Sequence, residues 1–194
     1  QYILDKVSTE TSSTGEDLYG GTWEQIDHLF ITQVYKKVSD KLYVYDYYIG
    51  TSSDFTKNQK IVLFDQSGKP IEGRINVPNP VITNSKGTDI FNNENITVTE
   101  TVYYLISGKL FTDNSKSITT STDILGNTTK SFSTTTYTYT KLGKQYIFDK
   151  IFTETSSKGE DLYGGTWEQI DHLFITQVYK KISDKLYVYD YYIG

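Results

Sequence analysis

The residues best equipped for chemistry in this chain are few, and they come in pairs. His28 and His172 each follow an aspartate, Asp27 and Asp171. A His–carboxylate couple can ligate a metal or act as a general base. Adjacent residues of a strand point to opposite faces, which spoils joint ligation, and neither neighbourhood holds a second His. An ordinary surface or hydrogen-bonded histidine is the expectation. Glu16-Asp17 and Glu24 to Asp27 crowd around Gly20-Gly21, but oxygen donors do not alternate before a glycine as a calcium loop requires. They read as a solvated acidic loop. Ser and Thr are abundant, yet there is no Gly-x-Ser-x-Gly elbow, and the absence of Cys excludes thiol catalysis, thiolate metal sites and disulfides. The expectation is a protein that is not an enzyme and needs no metal or cofactor.

Aromatic residues are the better candidates, for binding rather than catalysis. Tyr43, Tyr45 and Tyr47 share one face of a strand, with Leu42, Val44 and Asp46 opposite, and Tyr187, Tyr189 and Tyr191 repeat the pattern. Such a row can stack on sugar rings or meet a partner sheet. Equally, it can be a core face whose hydroxyls reach the surface. With Trp23 and Trp167, these six tyrosines are the candidate binding residues. Asn95-Ile-Thr97 and Asn127-Thr-Thr129 are glycosylation sequons, relevant only in a glycosylating host. The Ser/Thr-rich stretch 117–140 is similar to the insertion hairpins of β-pore-forming toxins, though both its faces read as polar.

A repeat carries these candidates. Residues 1–50 and 145–194 align without a gap and differ only at Leu4/Phe148, Val7/Ile151, Ser8/Phe152, Thr14/Lys158 and Val38/Ile182. The middle, 51–144, occurs once and holds all three Pro and every Asn, whereas both Trp, both His and 14 of the 18 Tyr lie in the copies. Either the chain is a slice of an array with a 144-residue period, or the copies are two arms of one body. The array is the preferred reading. Because the second copy carries Phe148 and Phe152, it should be the better buried one, with 51–194 a complete unit and 1–50 the orphan.

The segments read as strands. Lys41 to Ile49 is β-branched and aromatic throughout, and Leu29 to Val38 joins it through Ser39-Asp40. A helix over 23–38 is the rival, since Thr22 and Gln25 form a capping box before apolar residues at helical spacing. In the middle, Lys60–Phe64 and Pro70–Ile75 flank a hairpin turn, and Ile96–Ile106 turns at Ser107-Gly108 into Leu110-Phe111. Further strands break at Gly126-Asn127. The fold class expected is all-β, an antiparallel sandwich or barrel built from hairpins.

Asp17-Leu-Tyr-Gly-Gly-Thr-Trp-Glu24, repeated at 161–168, resembles the opening motif of lipocalin-like barrels, a Gly-x-Trp at the start of the first strand. The resemblance implies that Trp23 or Trp167 closes a barrel floor, with Gly21 or Gly165 before it and a small apolar ligand inside.

The chain carries a net charge of −5 and a single arginine, Arg74, which argues against a nucleic-acid partner. No apolar run is long enough to span a membrane. The reading is an extracellular, secreted or cell-surface, structural or adhesive repeat protein. It would act through protein–protein contacts, with itself or with a surface protein or glycan, and assemble head to tail by strand complementation. A carrier of a small apolar ligand and a β-pore-forming protein are the alternatives.

Overall fold

The computed structural model describes residues 5–18, 20–39, 42–142, 145–183 and 186–194, leaving aside the side chains at 142, 145, 148, 181, 186 and 187. The chain is all-β, with antiparallel pairing throughout. The first copy forms β1 (Lys6–Thr11), β2 (Thr14–Glu16), β3 (Thr22–Gln25), β4 (Leu29–Ser39) and β5 (Leu42–Gly50). The middle forms β6 (Gln59–Val62), β7 (Arg74–Asn76), β8 (Val81–Thr88), β9 (Glu94–Ile106), β10 (Lys109–Thr122) and β11 (Thr128–Leu142). The second copy forms β12 (Gln145–Glu160), β13 (Thr166–Glu168), β14 (Leu173–Ser183) and β15 (Leu186–Ile193). Residues 23–38 are therefore not a helix but two strands with a bend at 26–28 between them, and β-branched Ile31, Thr32 and Val34 favour the second. A 3₁₀ turn at Phe55–Lys57, capped by Asp54, is the one helical element among the described residues.

The strands make two sheets. The smaller runs β1-β4-β5-β6; the larger runs β15-β14-β12-β11-β10-β9-β8-β3-β2, with β13 also paired to β12 and β7 to β9. The small sheet lies against the near end of the large one, as in a sandwich, and the core sits between them. Tyr47, Ile49, Ile61, Leu63, Val77, Val81 and Leu105 form it, with Ile31, Tyr45, Phe64 and Leu110 packed around. Among the described side chains no buried apolar residue lies after Leu105. The core thus joins the first copy to the middle, and the expected unit 51–194 is not where it sits. Chain connectivity is the reason. Only eight residues separate β5 from β6, so the middle folds back onto the first copy at little loop-closure cost.

Turn chemistry sets the register. Ser107 and Gly108 both have positive φ (52° and 75°), the mirror-image turn that matches strand twist in a two-residue hairpin. Five other turns share one sequence, Asp-x-x-Gly/Asn-x, at 17–21, 65–69, 89–93, 123–127 and 161–165. In each, the aspartate N–H donates to the carbonyl of the fifth residue, and the carboxylate accepts from that residue's N–H. The fourth position has positive φ, which Gly and Asn tolerate best. Four of the five close hairpins at one end of the large sheet. There Glu16, Thr22, Thr88, Glu94, Thr122, Thr128, Glu160 and Thr166 pair in one row across eight strands.

Away from this core the large sheet is a single layer. The register puts Ser/Thr rows on one face: Ser85, Thr97, Thr119, Ser131 and Ser157, then Thr83, Thr99, Ser117, Ser133 and Thr155. Thr97 and Thr119 hydroxyls meet at 2.8 Å, Thr99 and Ser117 at 2.9 Å. The opposite face collects the charges, among them Lys86, Glu100, Lys116, Lys130, Glu154 and Lys158, together with a row of Val98, Ile118 and Phe132. That face is not polar throughout, contrary to the reading of 117–140.

Candidate functional site

The two copies share their strand pairings but not their sheets: β1 and β2 lie in separate sheets, whereas the equivalent residues of the second copy form one continuous strand, β12. Their registers are the same: Lys6 pairs Val34 as Lys150 pairs Val178, Ile31 pairs Ile49 as Ile175 pairs Ile193, and both hairpins carry the same bulge. In the first copy the outer side of β5 is paired by β6 and that of β3 by β8. Among the described residues, β15 is the end strand of its sheet in the second copy, and β13 pairs β12 alone. The reverse holds on the other side. β12 is paired along its whole length by β11, whereas the equivalent β1 and β2 are the end strands of their sheets.

The candidate tyrosines divide accordingly. Tyr47 is 4 % exposed and Ile49 fully buried, while Tyr191 and Ile193, the same residues in the second copy, are 51 % and 67 % exposed. Burial, with Tyr45 and Tyr103 nearby, pushes the Tyr47 phenol up to about 12. Tyr45 packs edge-on against Phe64 at 5.4 Å and tilts against Tyr35. The first copy's row is thus a core face, not a free binding surface, and Tyr43 is half-buried beside it. Tyr189 is exposed like Tyr191, whereas the Tyr187 side chain and Asp40 of the expected turn lie outside the described residues. The expectation that the second copy is the better buried is overturned, since a covering strand outweighs two larger side chains. Phe152 itself stacks on Phe174 at 5.9 Å, with Lys150 over its ring.

Asp46, on the other face of β5, marks the same division. Its carboxylate accepts from Lys36 Nζ at 3.0 Å and Lys60 Nζ at 2.8 Å. Burial by itself would raise its pKa; the two ammonium groups outweigh that and hold the carboxyl below its ordinary range. Asp190 keeps the partner from its own copy, Lys180, and is more exposed.

Trp23 and Trp167 lie on an exposed face rather than at a barrel floor. Each indole lies against the glycine opposite it, Gly15 or Gly159, where a Cβ would collide with the ring. Such aromatic cover of a strand glycine stabilises pairing. The sheet that holds them is an open path of strands. His28 and His172 bond through Nδ1 to Glu10 and Glu154, each a carboxylate on the adjacent strand of the same sheet and not the neighbouring aspartate. Asp27 instead accepts from the backbone and side chain of Asn84. Arg74 pairs with Asp113 at 3.1 Å and lies over the Tyr104 ring. Both sequon asparagines are engaged: Asn95 accepts from Ser121, and Asn127 bonds Asp123 and the Leu162 N–H. Among the described residues no helix is long and apolar enough to cross a membrane. No known family, curated protein or solved structure matches the chain.

Proposed function

We propose that the chain is an extracellular structural or adhesive repeat protein that joins further copies of itself head to tail. One observation carries this reading: two segments identical at 45 of 50 positions differ in that β6 and β8 close the first, whereas among the described residues no strand pairs the second on that side. An open β edge with apolar side chains invites pairing. The groups that dock the first copy onto the middle (Trp23, Glu24, Asp27, Tyr45, Asp46, Tyr47 and Ile49) recur unchanged in the second as Trp167, Glu168, Asp171, Tyr189, Asp190, Tyr191 and Ile193.

The second copy therefore fits against β6 and β8 of another chain, displacing that chain's residues 1–50. A copy so placed is paired by β11 on one side and by β6 and β8 on the other. Covering side chains such as Tyr191 and Ile193 stabilises by about 1.5–3 kcal/mol each before ordering costs. The contact is heterologous, so it propagates or closes into a ring.

The chain has no cysteine of its own, which makes a cross-linking test clean. Val62→Cys with Asp190→Cys should form disulfide-linked oligomers on oxidation at high concentration, reversed by reductant, because Asp46, the equivalent of Asp190, is paired directly with Val62. Asp46→Cys with Val62→Cys should close within one chain. A Val62→Cys/Asp190→Cys protein that stays monomeric, or links no better than either single variant, rules the reading out.

A further inference from the structure

The four hairpin turns at one end of the large sheet carry side chains that folding does not require there. In an Asp-x-x-Gly/Asn-x turn the second and third positions point to solvent, and polar residues suit them. Here they are apolar: Leu18, Ile90 with Phe91, Ile124 with Leu125, and Leu162 with Tyr163. All are exposed, Leu18 at 98 % and Tyr163 at 93 %. The fifth turn of this type supplies a control, because 65–69 lies elsewhere and holds Gln66-Ser67 in those positions. So does the Ser107-Gly108 hairpin, which closes the opposite end of the sheet.

The four turns stand side by side, each spanning two strands, so neighbouring tips are about 10 Å apart. Tips 123–127 and 161–165 are joined by the hydrogen bond from Leu162 N–H to Asn127. The recess between tips 17–21 and 89–93 is lined by Asp17, Gly21, Trp23, Lys86 and Asp89 rather than by the apolar tip side chains, which project separately. Such a row suits a fluid apolar phase that each tip enters independently.

Charge narrows the choice. Every turn begins on an aspartate, and Glu16, Glu94 and Glu160 flank them, while no Lys or Arg lies in these turns or in the strand residues next to them. This acidic collar opposes an anionic surface and a second, equally acidic row of tips. It complements a layer whose outermost groups are cationic. Quaternary ammonium headgroups satisfy both features, meeting carboxylates and, at Phe91 and Tyr163, aromatic faces.

We infer that this end of the sheet docks on a zwitterionic phosphatidylcholine bilayer, with the apolar tips entering the interface. Insertion is peripheral, without a membrane-crossing strand, and is independent of the head-to-tail assembly proposed above.

Flotation with phosphatidylcholine vesicles tests it on the intact chain. Binding is expected, with blue-shifted tryptophan emission, since Trp23 and Trp167 lie in the strands just after their turns. Phe91→Ser with Leu125→Ser should weaken it at least tenfold, and the sheet-face variant Ile118→Ser should leave it unchanged. Adding phosphatidylserine should weaken binding at low salt. No binding, equal binding by the tip variant, or stronger binding to anionic vesicles overturns the proposal. So does a tip variant that loses self-association in the absence of lipid, because the tips would then be a protein interface.

Discussion

The first and second copies are nearly the same fifty residues in two settings, and they separate what a sequence does locally from what its neighbours add. Pairing register, bulge, the turn at 17–21 and 161–165, Gly–Trp pairing and His–Glu contact are alike in both, although β1 and β2 of the first copy correspond to a single strand, β12, in the second. Burial is not: one tyrosine row is core and the other surface. Local pairing is therefore intrinsic to the segment, whereas burial of its apolar face depends on strands outside it, supplied to the first copy by β6 and β8.

Substituting equivalent positions sharpens that contrast, and the largest effect should come at Ile49. Truncating this fully buried side chain to Ala should cost about 2–5 kcal/mol, whereas Ile193→Ala, at an exposed site, should fall within about 0.5 kcal/mol. Urea unfolding of both variants measures the difference; equal costs would mean that Ile193 is covered in solution, as in an assembled state.

Asp46 comes next. Asp46→Asn removes a largely buried charged acceptor of two lysines and should cost about 1–3 kcal/mol, while Asp190→Asn, an exposed pair, should cost less than about 1 kcal/mol. The same group sets a pH dependence. Its folded pKa is depressed, so the unfolded chain binds the proton more readily. Its contribution is complete above the ordinary carboxylate value, about 4, and is lost as pH falls through the lower folded value. Unfolding curves between neutral pH and strong acid should show a steeper loss for the parent than for Asp46→Asn.

At the strand position that differs most, the order of the copies reverses. Phe152→Ser should cost about 1–2 kcal/mol, from half a Phe's burial and its stacking on Phe174. Ser8→Phe should not stabilise, because it gives up the 3.0 Å Ser8–Thr32 hydroxyl contact on an exposed edge strand. The smallest effects belong to His28→Ala and His172→Ala, each within about 0.5 kcal/mol. A larger loss at one alone would break the equivalence of the two hydrogen bonds.

Much of the fold was legible because it rests on short-range rules. Alternation of Tyr, Val and Thr predicted β4, β5, β9 and their hairpins, and the Ser107-Gly108 and Gly126-Asn127 turns fell where strands end. The capping box at Thr22 misleads only in isolation, since Trp23 pairs with glycines on both neighbouring strands. The candidate tyrosines were found, but not which set is free. Their spacing is the same in both copies, and only contacts far along the chain distinguish them. The hairpin tips were missed, although Asp-x-x-Gly/Asn followed by a strand was a usable signal. Their importance depends on four of them lining one end of a sheet.

The sequence by itself determined the all-β class, the repeat and the strand pairing within each copy, because that pairing and its turns involve residues of the same fifty-residue segment. Tertiary structure alone decided which copy is covered, which face of the sheet is charged and which turns stand together. Those are matters of strand order and register, where the first copy packs into a core with the middle and the second pairs with it through β11.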